Sequence, residues 1–501
     1  MSFLDLTAPQ GAVVVCIGAH YALAPFGAAM PTPPTIDPWL WSTTFGETLL
    51  AGFDPAGIGA RQREQRVANL LKAAQASPLY RQRLRGAAVS DLRSIEPVDK
   101  AELMHRFDEW STDRAVTHGA VEQFLQGTDH LAEAFLGKYL VWSSSGTSGT
   151  PGIFVQDARS LAAYEALDAL RLRGSATRNV PLAAWSVGQR FAYIGATGGH
   201  FAGAVSIERV RRLAFGATLL PHRWLMPVVQ TFSVQTPLPE LARELQGFAP
   251  TVLITYPSCA AALAQLQRAG ELQLRLNEIW LGGEQLSEGQ RASMGSVFAC
   301  PLRNNYGASE FFSIAWECEQ GRMHVNDDWV VLEPVDRQLR PVAPGAVPHA
   351  VLLTHLANHV QPLLRYRLDD AVRFTGERCG CGCAFPVIDV QGRSGDTLLL
   401  RGDNDRPAAI LPLAVQTVIE EGAQVTQFQL LCTASDTLEL RFETGVLDAD
   451  RAFGRARAAL TEYLRTHGLR RVRIVHGRKP PLRDRPSGKL SRVRNALPDR
   501  R

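Results

Sequence analysis

The residues best suited to chemistry begin with the run Trp142-Ser143-Ser144-Ser145-Gly146-Thr147-Ser148-Gly149-Thr150-Pro151, where two glycines stand among hydroxyl side chains and no acidic residue intrudes. Closely spaced backbone N–H groups and rotatable O–H donors suit an oxyanion such as a nucleotide phosphate, and glycine lets the backbone approach it. The G-x-x-x-x-G-K-[S/T] spacing of a P-loop is absent. A Ser/Gly/Thr run is also the composition of a plain surface loop, so its company must decide the reading.

A second group is rich in sulfur. Cys379-Gly380-Cys381-Gly382-Cys383 is too cramped for a whole zinc site but can give two tetrahedral ligands. Upstream, Cys318 and His324 flank a five-residue stretch whose spacing suits a ligand pair on a turn. Together they offer a Cys₃His set, a common structural zinc arrangement, with reduced unliganded thiols as the alternative. Further candidates are His200 after Gly198-Gly199, Glu284 after Gly282-Gly283, and a basic Pro/Gly-rich tail. Tyr193, Tyr256, Phe311 and Phe312 could line an aromatic pocket or simply be core.

The elements that must position these groups follow from patterning. Residues 61–85 read as helix, Asp99 with Glu102 as a capped helix start, and 136–142 as a strand feeding the Ser/Gly/Thr loop. A helical stripe of Leu161, Tyr164, Leu167 and Leu170 comes behind the loop. Strands are expected at 191–194, 251–256 and 279–281, a helix at 260–269, and polar or glycine-rich ends at Gly195-Ala196, Gly282-Gly283-Glu284 and Tyr306-Gly307-Ala308-Ser309-Glu310. Open α/β sheets place their ligands at such strand ends. From 330 the pattern turns to β, with strands at 330–335, 350–354 and 363–367. A joint is read at Gly392-Arg393-Ser394-Gly395-Asp396, and beyond it a small α+β unit with helices at 411–420 and 450–465 and strands around Leu438–Phe442 and 472–475.

At 501 residues, 46% hydrophobic and 20% charged, the chain has the composition of a globular protein of several structural units. A net charge of +4 is mild, and no nucleic-acid-binding motif accompanies the arginines of 470–494. No apolar run approaches the roughly 18 residues of a membrane span. Residues 11–30 are apolar but lack a basic n-region, so a secretory signal is not expected. Eight cysteines in a chain this long point to a reducing compartment, hence a cytoplasmic location, and not to a disulfide scaffold.

Five patterns occur in one order: the Ser/Gly/Thr loop, Tyr306-Gly307-Ala308-Ser309-Glu310, Arg365-Tyr366-Arg367 with Asp370, Gly392-Arg393 with Asp396, and Pro486-Ser487-Gly488-Lys489. The series resembles the adenylate-forming superfamily of acyl-CoA synthetases, most of all the phenylacetate–CoA ligase branch, over about residues 60–495. The resemblance implies a large N-terminal layered α/β domain with a β-rich subdomain (61–395), a small mobile C-terminal α+β domain (396–501), and an unassigned leader over 1–60. It also implies activation of a small carboxylic acid by ATP with pyrophosphate release, then transfer to coenzyme A. An amine, hydroxyl or carrier-protein acceptor is the alternative, and a non-catalytic nucleotide-binding relative a third.

By matching positions, Ser144, Ser145, Gly146, Thr147, Ser148 and Gly149 would hold the β- and γ-phosphates, with Gly283, Glu284, Gly307, Ala308 and Ser309 on the nucleotide side. Tyr306 would stack near adenine, Glu310 would bind Mg²⁺, Asp370 the ribose, and Arg393 the ribose or phosphates. Lys489 would bring positive charge to the reacting carboxylate and α-phosphate, and His200 falls where relatives build the acyl pocket and thiol entrance. Relatives in this branch carry a similar zinc set, matching Cys318, His324, Cys379 and Cys381 better than Cys383. Two departures stand out. Thr150 occupies a place where relatives often have lysine, and Asp369-Asp370 replaces a Gly-Asp pair. Oligomerisation as a homodimer is left open.

Overall fold

The computed structural model describes residues 34–497, except 35, 86–91, 127–129, 145–150, 173–187, 198, 218–226, 235, 237, 369, 394–397, 404, 406, 411, 426, 444–445, 447 and 484–489. The heart of the protein is a nine-stranded sheet with two unlike halves. Five strands are parallel: in spatial order Val228–Ser233, Arg190–Gly195, Val252–Thr255, Glu278–Gly282 and Leu302–Tyr306. In chain order that is 2-1-3-4-5, a doubly wound arrangement whose direction of winding reverses between Arg190–Gly195 and Val252–Thr255. The other half continues from Leu302–Tyr306 as antiparallel strands Ala315–Glu317, Met323–Val325, Val387–Arg393 and Asp370–Phe374.

The inner parallel strands, such as Val252–Thr255 and Glu278–Gly282, are largely buried, and helices such as Leu238–Phe248 and Pro257–Arg268 bury Leu245, Ala260 and Leu263 against the sheet. A second core joins the N-terminal helices, the antiparallel half and a three-stranded antiparallel sheet of Val330–Val335, Ala350–His355 and Tyr366–Leu368. Trp110, Trp142, Phe154 and Phe311 are its largest fully buried side chains apart from Tyr80 and Phe107.

Three local outcomes differ from the sequence reading. The expected helix over 61–85 is two helices, Ala60–Ala74 and Pro78–Arg83. Ser77 caps the second through its Oγ to the Tyr80 N–H at 3.3 Å, with Pro78 at the first helical position. Within the unassigned leader, Pro38–Phe53 is a helix that buries Thr44, Thr48 and Ala51, and Thr48 Oγ1 receives Trp329 Nε1–H at 2.9 Å. Finally, a strand that the sequence reading did not include stands between the Ser/Gly/Thr run and the helix expected behind it. Leu140–Ser143 pairs antiparallel with Ile153–Gln156, so the run is the connection of a β-hairpin, and the helix Ala158–Leu167 starts only after Asp157 caps it. Ile153-Phe154-Val155 is β-branched and aromatic, and all three are buried opposite Ser143, Trp142 and Val141.

The C-terminal unit has its own core. Four strands, in the order Arg473–His476, Thr437–Phe442, Phe428–Ala434 and Val493–Asn495, are covered by helices Pro412–Ala423 and Ala449–Thr466. A hairpin of Leu398–Arg401 and Pro407–Ile410 precedes them. No helix among the described residues is long and apolar enough to cross a membrane.

Candidate active site

Gly283, Glu284 and the Tyr306–Ser309 stretch lie at the carboxyl ends of parallel strands, Ser144 follows the hairpin strand Leu140–Ser143, and Asp370 pairs with Arg393 at the outer edge of the antiparallel half. The tightest part follows Leu302–Tyr306. A Cβ on Gly307 would fall 1.9 Å from the Phe312 carbonyl oxygen, so only glycine lets the chain turn there, and the Ala308 N–H closes the turn on Phe311 O at 2.9 Å. This turn sets Tyr306 and Glu310 on one side. The Tyr306 hydroxyl donates to Asp370 Oδ2 at 2.7 Å, joining the residue expected under adenine to the one expected on the ribose. Asp370 is also the backbone partner of Arg393 across the antiparallel pair. The Arg393 side chain lies outside the described part, as do Asp369 and the whole of Ser145, Gly146, Thr147, Ser148, Gly149 and Lys489.

Glu310 receives the Tyr366 hydroxyl at 2.7 Å. Burial pushes its carboxyl above the usual range and the nearby Asp370 adds to this, while the Tyr366 hydrogen bond and the positive charge of Lys100 act the other way. A half-buried carboxylate that takes a neutral hydroxyl donor is a fitting ligand for a hard divalent cation, which would bring positive charge beside it.

The Ser/Gly/Thr run is tied together at its two described ends. The Ser144 N–H donates to Gly152 O at 2.8 Å, and the Gly152 N–H donates back to Ser144 Oγ at 2.7 Å. Trp142, fully buried, donates its Nε1–H to Ser309 O at 2.7 Å and so ties the hairpin to the Tyr306–Glu310 turn. On the other side, the Ser143 N–H donates to His200 O at 2.7 Å. His200 is buried, with its ring 6.1 Å from that of Phe124.

Two residues passed over in the sequence belong here. Val98 forms a parallel bridge with Tyr366, and Lys100 follows at the first turn of the helix Lys100–His105, capped by Asp99 through the Glu102 N–H at 2.9 Å. The Lys100 side chain then runs beside the loop neck, its Cδ 3.4 Å from where a Gly152 Cβ would be. Lys100 therefore lies beside the described end of the Ser/Gly/Thr run. The signal was present as a lysine just after a cap, but its bearing on the loop depends on the Val98–Tyr366 bridge, which no local pattern encodes. Tyr366 stands inside the Arg365-Tyr366-Arg367 motif, which by itself gives it no task.

The structure separates the other candidates. Gly283 has φ +75°, a conformation that favours glycine, and delivers Glu284 to the Ser258 N–H at 3.0 Å and the Leu490 N–H at 2.8 Å. Phe311 is core, packed 4.6 Å from the buried His355 ring. Tyr193 is wedged against Gly195 and Gly203, where a Cβ on either would come within 2.4 Å of its hydroxyl, and the Tyr256 hydroxyl takes the Ala196 N–H at 3.4 Å. These two tyrosines stand at the reversal point of the parallel sheet, where open α/β folds bind their ligands.

The sulfur cluster assembles beneath the antiparallel half. Ligand atoms of Cys318, His324, Cys379 and Cys381 all lie within 4.8 Å of one another, with Cys318 Sγ 3.7 Å from Cys379 Sγ and Cys381 Sγ 3.4 Å from His324 Nε2. Thiolates held about 2.3 Å from zinc at tetrahedral angles stand about 3.8 Å apart, close to the first spacing. His324 Nδ1 donates to Phe385 O at 3.0 Å, which leaves Nε2 as the lone-pair face. Cys383 lies outside this four-residue group, and its N–H donates to Cys381 Sγ at 3.4 Å.

This architecture is that of the adenylate-forming CoA ligases. In fold the chain is similar to 2-hydroxyisobutyryl-CoA ligase in its postadenylation state with 2-HIB-AMP, at TM-score 0.61 and 19% identity, covering 87% of this chain and 89% of that one. Against the same ligase in the thioesterification state with 2-HIB-AMP and CoA, the TM-score is 0.50 at 19% identity, covering 88% and 90%. No protein-family model and no curated protein matches the chain.

Proposed function

We propose that the protein activates a small carboxylic acid with ATP and passes the acyl group to the thiol of coenzyme A, in the manner of the phenylacetate–CoA ligase branch. The observation that carries this reading is the convergence on one strand end of Tyr306 with Asp370, Glu310 with Tyr366, and the phosphate-loop neck with Lys100. A carboxylate oxygen of the acid attacks the α-phosphorus, the bond to the bridging oxygen breaks, and pyrophosphate leaves. The thiol sulfur then attacks the acyl carbon of the mixed anhydride, giving a thioester and AMP and releasing the thiol proton.

The chain's own residues bind and orient. Tyr306 and Asp370 hold the nucleoside, the Ser144–Gly149 loop grips the β- and γ-phosphates, and Lys100, Arg393 and Lys489 bring positive charge to them and to the α-phosphate. Mg²⁺ held by Glu310 would neutralise phosphate charge. His200 sits between the loop and the reversal point, and we place the acid and the thiol on that side. The four-residue sulfur site would hold a structural zinc, since four protein ligands leave no open position. The greater similarity to the postadenylation form of the CoA ligase than to its thioesterification form supports a C-terminal unit set for adenylation.

A pyrophosphate-exchange screen over aromatic, aliphatic and amino acids tests the reading. Acid-dependent exchange is expected with at least one class, followed by thioester formation on adding coenzyme A. Exchange without thioester would move the acceptor to an amine, hydroxyl or carrier protein. ATP binding without exchange for any acid would contradict the enzyme reading.

A further inference from the structure

The C-terminal unit meets the large unit along a seam that is polar where its contacts are resolved. Among the described residues its apolar core contains only residues from 398 onward, and none of them belongs to a core of the large unit. What crosses instead is a set of hydrogen bonds centred on the segment after Glu278–Gly282. Glu284 Oε1 takes the Leu490 N–H at 2.8 Å, while its Oε2 takes the Ser258 N–H at 3.0 Å in the first turn of helix Pro257–Arg268. Arg492, buried, donates Nη2–H to Gln290 Oε1 at 2.9 Å and to Gln285 O at 3.3 Å. Gln416 Nε2 reaches Gln285 Oε1 at 3.4 Å, and Gln285 Nε2 donates to Val390 O at 3.2 Å.

We propose that Glu284 is a latch: its carboxylate bridges the large unit and the residue that follows Lys489, holding the C-terminal unit in the orientation that serves adenylation. The inference rests on the function proposed above and gives Glu284 a positioning task in place of a nucleotide contact. The geometry suits this task. Gly283, with its left-handed φ, turns the chain so that Glu284 leaves the strand end, and the carboxylate faces the positive end of the Pro257–Arg268 helix through the Ser258 N–H. One anchored carboxylate then offers its second oxygen to a backbone N–H, a contact that does not depend on which side chain sits at 490. Charge-assisted bonds of this kind are directional and strong for their size, yet water can replace them once the unit swings away. From Leu490 the chain runs through Arg492 into Val493–Asn495, which pairs with Leu430, Leu431 and Cys432 in the small sheet, so the latch is coupled to the whole unit.

The test compares the wild type with Glu284→Gln, which keeps shape but sets an NH₂ group against one of two N–H donors, and with Arg492→Met at the neighbouring contact. Two half-reactions are measured separately: acid-dependent pyrophosphate exchange, and thioester formation from a supplied acyl-adenylate and coenzyme A. Glu284→Gln is expected to lower exchange at least tenfold while leaving thioester formation from the supplied adenylate at the wild-type rate or above it, with an unchanged melting temperature. Arg492→Met should shift the same ratio in the same direction. Amide hydrogen exchange over 490–495 should quicken in Glu284→Gln, a readout that does not need activity. Unchanged amide exchange overturns the latch even if no acid is ever found for the wild type. An equal fall in both half-reactions also overturns it. A wild type inactive with every acid would instead contradict the proposed function.

Discussion

The cradle and the seam are built from different materials. The cradle draws Trp142, Tyr306, Glu310 and Tyr366 from distant stretches and sets them on a continuous apolar core, with Trp142 and Phe311 fully buried. The seam joins two separate cores through Glu284, Gln285, Gln290, Gln416 and Arg492. The difference teaches where motion is permitted. Moving a cradle residue would open a void in a close-packed interior, whereas parting the seam exchanges protein hydrogen bonds for water ones at small net cost. A ligase whose two half-reactions need different faces of one lid gains from that division.

The comparison breaks most sharply at Lys489. Lys489→Ala should lower pyrophosphate exchange on the order of 10²–10³-fold with little effect on thioester formation from supplied adenylate. A wild-type exchange rate in that variant would remove the lid from the chemistry. The cradle's foundation is tested by metal. Purified protein should hold about one zinc per chain by elemental analysis, lost in the double variant Cys379→Ser, Cys381→Ser. Because Cys379 and Cys381 stand between the strands that carry Asp370 and Arg393, that loss should also lower the melting temperature, by about 10 °C if the site contributes a few kcal/mol.

Within the cradle, Tyr366→Phe removes the side-chain donor of Glu310 and should raise the Mg²⁺ needed for half-maximal exchange about tenfold, the scale of one hydrogen bond to a charged group. An unchanged Mg²⁺ requirement would detach Glu310 from the metal.

The smallest effect lies in the packing behind the turn. His355, shut in beside Tyr164 and Phe311, is pushed down by burial to about 3, with His359 adding to this. Its unfolded value is 6.5, so as pH falls below that the unfolded chain gains a proton that the folded one refuses. The stability is full above 6.5 and drains below it, by up to ~1.4 kcal/mol per pH unit. Urea melts at pH 7 and pH 5 should show a shallower loss in His355→Gln than in the wild type. Equal slopes would show that another group sets the acid sensitivity.

The two halves of the sheet were not equally legible. Val252–Thr255 and Glu278–Gly282 stand out in the sequence as short apolar runs, because parallel strands covered on both faces are apolar throughout. The long amphipathic helix Ala449–Thr466 was visible for its periodicity, burying Ala452, Ala456, Leu460 and Leu464. In the antiparallel half, Ala315–Glu317 and Met323–Val325 are three residues each, too short for any period to show. Val387–Arg393 ends in the glycine-arginine pair read as a joint, yet it is a paired strand. Of the site, Tyr306, Glu310 and Asp370 were readable as a motif series. Lys100, Tyr366 and the double contact of Glu284 were not, since each gains its meaning from a partner more than 20 residues away.

The most direct test of the account follows an oxygen atom. An active acid labelled with ¹⁸O in its carboxylate is turned over with ATP, and the nucleotide product is weighed by mass spectrometry. Attack of the carboxylate on the α-phosphorus requires one labelled oxygen to appear in AMP for each acyl group transferred. Unlabelled AMP, or label found in phosphate beside ADP, would contradict an acyl-adenylate and with it the central claim.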